Sequence, residues 1–296
     1  MAQDLASVLT DTVRTHAQQV GSWERAVRDD ADDAVHQMRV SARTLRSVVQ
    51  VFGPCLATDQ AREINRTLRR LGRRLSPARD AEVLCELVAE RLDELPVDLT
   101  AALPGKTARR LIRLADKEYA TAQAHLADAL DTSEHQDDLA YVSRLDSVDL
   151  SGDLTDDQRE NAAAALSPFV LRRAAEIVTM AKGATATPSP RERNVQLHEL
   201  RKEAKRLRLA AEGVREATGL ELGTDVAAAV RRAHKLQRAL GDHRDSVILQ
   251  ELLLRAADRA RDKGRDTFGH GVLFAHEASV QEAALARAER HLARLG

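Results

Sequence analysis

The feature that most constrains this chain is its period. Over most of the 296 residues the apolar side chains recur every three to four positions, the signature of helices packed on one face. The spacing predicts helices over 3–20, 31–52, 58–75, 78–94 and 105–131. It predicts five more over 161–182, 191–216, 223–240, 243–263 and 271–294. Turn and stop residues separate them: Gly53-Pro54, Ser76-Pro77, Leu103-Pro104-Gly105, Pro188-Ser189-Pro190 and Gly241-Asp242. No segment alternates as a strand does. Aromatic residues make up only 2% of the chain, too few for a sandwich or barrel, whose strands draw on aromatic and β-branched side chains. The expected fold class is all-α.

The second half of the chain repeats the first. VHQMRVSARTLRSVVQVF (35–52) lies over LHELRKEAKRLRLAAEGV (197–214). His36 falls on His198, Arg39 on Arg201, Arg43 on Lys205 and Arg46 on Arg208. Further on, LRRLGRRLSPARDAEVLCELV (68–88) lies over AHKLQRALGDHRDSVILQELL (233–253), matching Arg70 with Lys235, Arg73 with Arg238 and Arg79-Asp80 with Arg244-Asp245. The offset drifts by only three residues, as one loop difference would cause. The expected organisation is a single domain over 1–296, made of helical repeats at 1–131 and 161–296. An acidic linker at 132–160 joins them, expected to be flexible and solvating.

The net charge of −1 conceals a strong segregation. Ten arginines stand between His36 and Arg79 against only Asp59 and Glu63. Between Asp128 and Glu160 the balance reverses, with eleven acids and two arginines. Placed on a helix, Met38, Ala42, Leu45, Val49 and Phe52 form one stripe, while His36, Arg39, Arg43 and Arg46 form another about 120° away. That basic row is about 15 Å long at 1.5 Å per residue. The second repeat draws the same row with His198, Arg201, Lys205 and Arg208, widened by Lys202 and Arg206. The next predicted helix buries Ile64, Leu68, Leu71 and Leu75 and carries Arg62, Arg66, Arg69 and Arg73 on another face. Its counterpart is Arg231, His234, Lys235 and Arg238.

Like charges one helical turn apart repel by a few tenths of a kcal/mol per pair. Such rows become favourable when a polyanion lies along them. The arginine fork suits phosphate, because it makes two parallel bonds and keeps its charge at physiological pH. A solvated face is the ordinary fate of a single charged row, but two rows at one spacing, each opening with His, argue for a ligand. Pairing of the arginines with acids of the linker is the remaining alternative. Ser76 and Asp242 read as N-caps, with Pro77 in the first turn and Asp80 and Asp245 complementing helix dipoles.

The HxxRxxxRxxR helix, followed by LxxxLxxxRD and an apolar helix, occurs twice in the same order. In this the chain resembles the conserved histidine α-helical domain, or CHAD, family over nearly its whole length. The resemblance implies two pseudosymmetric helical bundles around a central basic channel or groove. It also implies binding of inorganic polyphosphate and association with polyphosphate granules. Carried over residue by residue, the first ligand contacts are His36, Arg39, Arg43, Arg46, His198, Arg201, Lys205 and Arg208. Arg69, Arg70, Arg73, Arg79, Lys202, Arg206, Lys235, Arg238 and Arg244 follow. Nothing in the chain resembles the ExExK strand of the triphosphate-tunnel domain often fused to relatives, so a stand-alone member is expected.

Two other functions stay open. A general polyanion or nucleic-acid binder would use the same rows, although single-strand binders rely on aromatic platforms that are scarce here. A phosphate-transfer or metal-dependent enzyme would need His36 or His198 to have a base or convergent ligands beside it, and their neighbours in sequence are arginines. No catalytic residue, metal or cofactor is expected. No apolar run reaches the roughly 20 residues of a membrane span. Met1-Ala2-Gln3-Asp4 lacks the pattern of an export signal. Cys55 and Cys85 form neither a metal motif nor a disulfide framework. A cytoplasmic setting is expected, with the oligomeric state open. The remaining histidines share no spacing and read as surface or half-buried residues.

Overall fold

The computed structural model describes residues 3–187 and 189–293. Met1, Ala2, Pro188 and residues 294–296, and with them the two ends of the expected 1–296 domain and the centre of the Pro188-Ser189-Pro190 turn, lie outside the described residues. The fold is all-α, and the described residues contain no strand beyond one isolated bridge between Leu56 and Leu150. The first half holds α1 (Leu5–Ser22), the short α2 (Glu24–Arg28), α3 (Ala34–Phe52), α4 (Thr58–Asp93), α5 (Val97–Ala102) and α6 (Gly105–Leu130). Then come α7 (Ser133–Ser143), α8 (Asp156–Glu160), α9 (Ala162–Ala186), α10 (Pro190–Thr218), α11 (Thr224–Arg261) and α12 (Phe268–Ala293).

Two expected helix breaks do not occur. α4 runs through Pro77 and α11 runs through Gly241. Proline in a helix interior costs about 3 kcal/mol and glycine about 1 kcal/mol. Burial outweighs both. Leu71, Leu75 and Ala78 flank Pro77 with essentially no exposed surface, as Leu236 and Leu240 flank Gly241, and each large apolar side chain so buried contributes about 1.5–3 kcal/mol. Ser76 is therefore not an N-cap. Its hydroxyl donates to the Gly72 carbonyl one turn back at 2.6 Å. Asp242 is likewise inside a helix, where it accepts from Arg287 at 2.9 Å. Asp80 and Asp245, expected in opening turns, also lie mid-helix.

The chain forms two compact units, and these do not follow the two sequence repeats. Among the described residues one takes those within 3–76 and 127–237, the other 77–126 and 238–293. Each unit thus draws on both halves of the chain. In the first, α3 packs on α1, α9 and α10. Its core contains Met38, Leu45 and Phe52 from α3, Ile64, Leu68 and Leu71 from α4, and Leu200 and Leu207 from α10. Gly213 lets α10 approach α3 and α1 closely. A Cβ there would lie 2.7 Å from Thr44 Cγ2 and 3.0 Å from His16 Nε2. In place of a side chain, His16 Nε2 donates to the Gly213 carbonyl at 3.0 Å. The second unit has its own core, in which Leu84, Leu87 and Val88 meet Leu111, Leu249, Leu252, Leu253 and Leu273.

The 132–160 segment is more ordered than an acidic solvating linker. Thr132 caps α7 by accepting from the His135 backbone N–H. His135 is buried, and its Nε2 donates to Glu24 at 3.1 Å. Ala57 N–H donates to the Asp149 carbonyl at 2.7 Å, and Ser151 N–H to the Cys55 carbonyl at 3.0 Å. His16, His135, His243 and His270 are all buried rather than superficial. Tertiary packing, not spacing along the chain, buried them. Both cysteines are free thiols, and burial pushes that of Cys55 up to about 11.

Candidate functional site

The apolar stripes read from the sequence decide where the basic rows face. Met38, Ala42, Leu45, Val49 and Phe52 are all buried, as are Ile64, Leu68, Leu71 and Leu75. With those faces committed to the core, the arginine faces of α3 and α4 are left partly exposed. The same holds on α10, where Leu197, Leu200, Ala204 and Leu207 are buried.

The rows converge within the first unit. Lys205 of α10 is half-buried, and its ammonium lies in the field of Arg43, Arg201, Arg208 and Arg39. Burial first, and then those four guanidiniums, bring its pKa down from 10.5 to about 7. Arg46 is the second focus. Burial, followed by Arg206, Arg69 and Arg73, holds its pKa below the ordinary arginine value. Cations from α3, α4 and α10 therefore face one another, and they come from both sequence repeats.

Several contacts hold these side chains in place. Arg39 Nη1 donates to the Ser76 carbonyl at 3.2 Å. Arg46 Nε donates to Asn65 Oδ1 at 2.9 Å, and Gln50 Nε2 donates to the same oxygen at 3.0 Å. Arg208 Nε donates to Gln237 Oε1 at 3.0 Å, and its Nη1 pairs with Glu212 at 2.7 Å. Arg206 pairs with Glu203. Asn65, Gln237, Glu203 and Glu212 are residues the sequence reading did not single out. Asn65 was discoverable, since it precedes Arg69 and Arg73 at i, i+4, i+8 and so shares their face. Gln237, three residues after His234, gives a weaker signal.

Other expected contacts are placed differently. Arg70 is committed to α7. It and Arg74 donate to the two carboxylate oxygens of Asp138, each at 2.5 Å, and Arg74 also pairs with Glu134 at 3.1 Å. Asp138 is only 3% exposed. Burial alone would raise its pKa, yet the two guanidiniums hold it below the usual value. The pairing of arginines with acids of the 132–160 segment is thus realised, but at Arg70 and Arg74. Lys202 is exposed and paired with Glu199 at 2.7 Å, and Lys235 is exposed on α11. His36 and His198 open their rows half-buried. Arg79, Arg238 and Arg244 belong to the second unit, where Arg79 pairs with Glu82 at 2.8 Å and Glu86 at 3.1 Å.

The arrangement suits electrostatic binding of an anion with many charges. Guanidiniums held partly out of water interact with phosphate oxygens more strongly than solvated ones do. Among the described residues, no group of three or more His, Cys, Asp or Glu could hold a metal ion. No described helix is long and apolar enough to cross a membrane.

Comparison with known proteins bears on the same residues. The CHAD domain family matches residues 11–254, which span α3, α4, α10 and most of α11. Two proteins of Mycobacterium tuberculosis described as uncharacterized, from strains CDC 1551 and H37Rv, are each 33% identical over 285 residues. The match covers 96% of this chain and 52% of each relative, so the chain spans about half their length. Among solved structures, PptA from Streptomyces chartreusis superposes with a TM-score of 0.69 at 20% identity, over 98% of this chain and 99% of that one. The CHAD domain of the plant Ricinus communis superposes with a TM-score of 0.64 at 22% identity, over 99% and 94%. At those identities the two structures speak to the fold.

Proposed function

Since the chain belongs to the CHAD domain family, which is associated with polyphosphate, we propose that it binds inorganic polyphosphate along the cations of α3, α4 and α10. The observation that carries this reading is the crowding of cations from three helices around Lys205 and Arg46, whose pKa values are depressed by burial first and by those like charges next. Such a cluster is disfavoured empty and relieved by an anion, and a linear phosphate chain brings one negative charge per residue. Arg39, Arg43, Arg46, Arg69, Arg73, Arg201, Lys205, Arg206 and Arg208 are the assigned contacts, with His36 and His198 as further donors. The ligand would lie in a groove between the rows. The protein acts as a binding module rather than an enzyme, in the cytoplasm and at polyphosphate granules.

The test is titration with polyphosphate of defined length at several salt concentrations, with single-stranded DNA and orthophosphate as competitors. Each neutralised phosphate should contribute a slope of about −0.7 to −0.9 in log affinity against log salt, as released counterions do for nucleic acids. Binding that is steep in salt and poorly displaced by DNA supports the assignment. Equal displacement by DNA makes the protein a general polyanion binder. Absence of binding overturns the reading.

A further inference from the structure

A cavity separate from the Lys205 and Arg46 clusters lies where α10 gives way to α11. Gly219 ends α10 in the left-handed region at φ 70°, with its N–H returning to the Arg215 carbonyl at 2.8 Å. Gly223, at φ 99°, turns the chain into α11. Only glycine adopts both angles without strain. The loop between them is pinned from α9, where Ser167 Oγ donates to the Leu222 carbonyl at 2.7 Å. This leaves a space of about 240 Å³ between the two helices.

Its walls are aliphatic. Ala211 comes from α10, Leu220 and Leu222 from the loop, and Val226, Ala227 and Val230 from α11. The polar lining is biased toward cations. Glu212 is already answered by Arg208 at 2.7 Å. Arg215, Arg231 and His234 also line the space and are exposed, and among the described residues their side chains make no hydrogen bond or ion pair. Glu221 is the remaining acid of the lining. The first turn of α11 adds the positive end of a 38-residue helix. Arg231 and His234 are thus not merely a thinner copy of the α4 row. They line a cavity that also has aliphatic walls.

The size selects the ligand. The space holds about eight waters at liquid density, below the range typical of drug-sized sites. An inorganic phosphate would satisfy the cations and leave the aliphatic walls wet. A neutral hydrocarbon would cover the walls and leave the cations unanswered.

We propose that this cavity binds a small organic anion, in which one ring or a short alkyl body carries a carboxylate or phosphate head that Arg215 and Arg231 grip. The site goes beyond polyphosphate binding and uses none of the α3 cations.

The test is calorimetric titration of the full chain with phenyl phosphate, benzoate, benzyl alcohol and orthophosphate. Phenyl phosphate or benzoate should bind at least tenfold more tightly than both benzyl alcohol and orthophosphate, and the stronger of the two identifies the head group. Arg215→Ala with Arg231→Ala, both on exposed side chains, should weaken that binding tenfold or more without lowering the melting temperature. Ala227→Leu should reduce it by filling the space. Arg39→Ala with Arg43→Ala should leave it unchanged. The proposal is overturned if benzyl alcohol or orthophosphate binds as well as the organic anions, or if the Arg215/Arg231 variant binds like the parent.

Discussion

Replacing Lys205 by Met should stabilise the protein near neutral pH while weakening its hold on polyphosphate. In the unfolded chain this amine has a pKa of 10.5, and in the folded protein about 7. Between those values the unfolded state carries a proton that the native state lacks, so native stability rises with pH. At and below pH 7 the ammonium is forced to sit among Arg39, Arg43, Arg201 and Arg208, and the penalty is largest. The displacement from 10.5 to about 7 sets a ceiling on the order of 5 kcal/mol. Partial exposure of the side chain and relaxation of its neighbours reduce this to about 1–3 kcal/mol.

Urea denaturation of parent and Lys205→Met across pH 6–10 measures it directly. The variant should be more stable at pH 6–7, and the difference should shrink toward zero near pH 10. A bound polyphosphate reverses the local field and restores the ammonium. Binding above pH 7 should therefore take up as much as one proton, and calorimetry in buffers of different ionisation enthalpy reads this. Lys205→Met should lose that uptake. Two stability curves separated by a constant amount at every pH would refute the reasoning, because they would mean that the amine titrates alike in folded and unfolded chains.

The other expectations rest on separate contacts. Arg39→Ala, Arg43→Ala and Arg46→Ala together should lower polyphosphate affinity by at least tenfold while the helical circular dichroism signal is retained; unchanged affinity would remove the α3 row from the site. Asp138→Ala removes the buried carboxylate that Arg70 and Arg74 share, leaving Arg74 the exposed Glu134, and should cost about 2–4 kcal/mol in denaturant unfolding. Because the Asp138 pKa is lowered on folding, its contribution is present above the unfolded value and lost as pH falls through the folded one, so the parent should lose its advantage over the variant in strong acid. Deleting residues 134–156, which would be harmless for a free linker, should lower the melting temperature by removing α7 and its buried His135, Asp138 and Val142. Gly213→Ala should cost about 1–2 kcal/mol by overpacking, and Thr44→Ser, which removes the methyl 2.7 Å from the new Cβ, should recover most of that loss.

The fold class and the basic faces of α3, α4 and α10 were legible in the sequence for one reason. Apolar periodicity commits one face of each helix to the core, and the opposite faces are then determined by the residues three and four positions away. Met38, Leu45 and Phe52 are buried for the same reason that Arg39, Arg43 and Arg46 are not. Tertiary packing decided the rest. Pro77 and Gly241 read locally as stops, and only burial of Leu71, Leu75, Ala78, Leu236 and Leu240 around them carries the helices through. Arg70 and Arg73 look equivalent along the chain, but 68 residues separate Arg70 from the Asp138 that claims it. The depressed pKa of Lys205 is only partly visible in its own helix, where Arg201 and Arg208 stand one turn away. Burial, its largest cause, and the charges of Arg43 and Arg39 come from tertiary packing, which brings α3 beside α10, a meeting of segments some 160 residues apart. Local sequence sets which face of a helix is charged; the partner that face meets is a long-range contact, and the energy of charges depends on that contact.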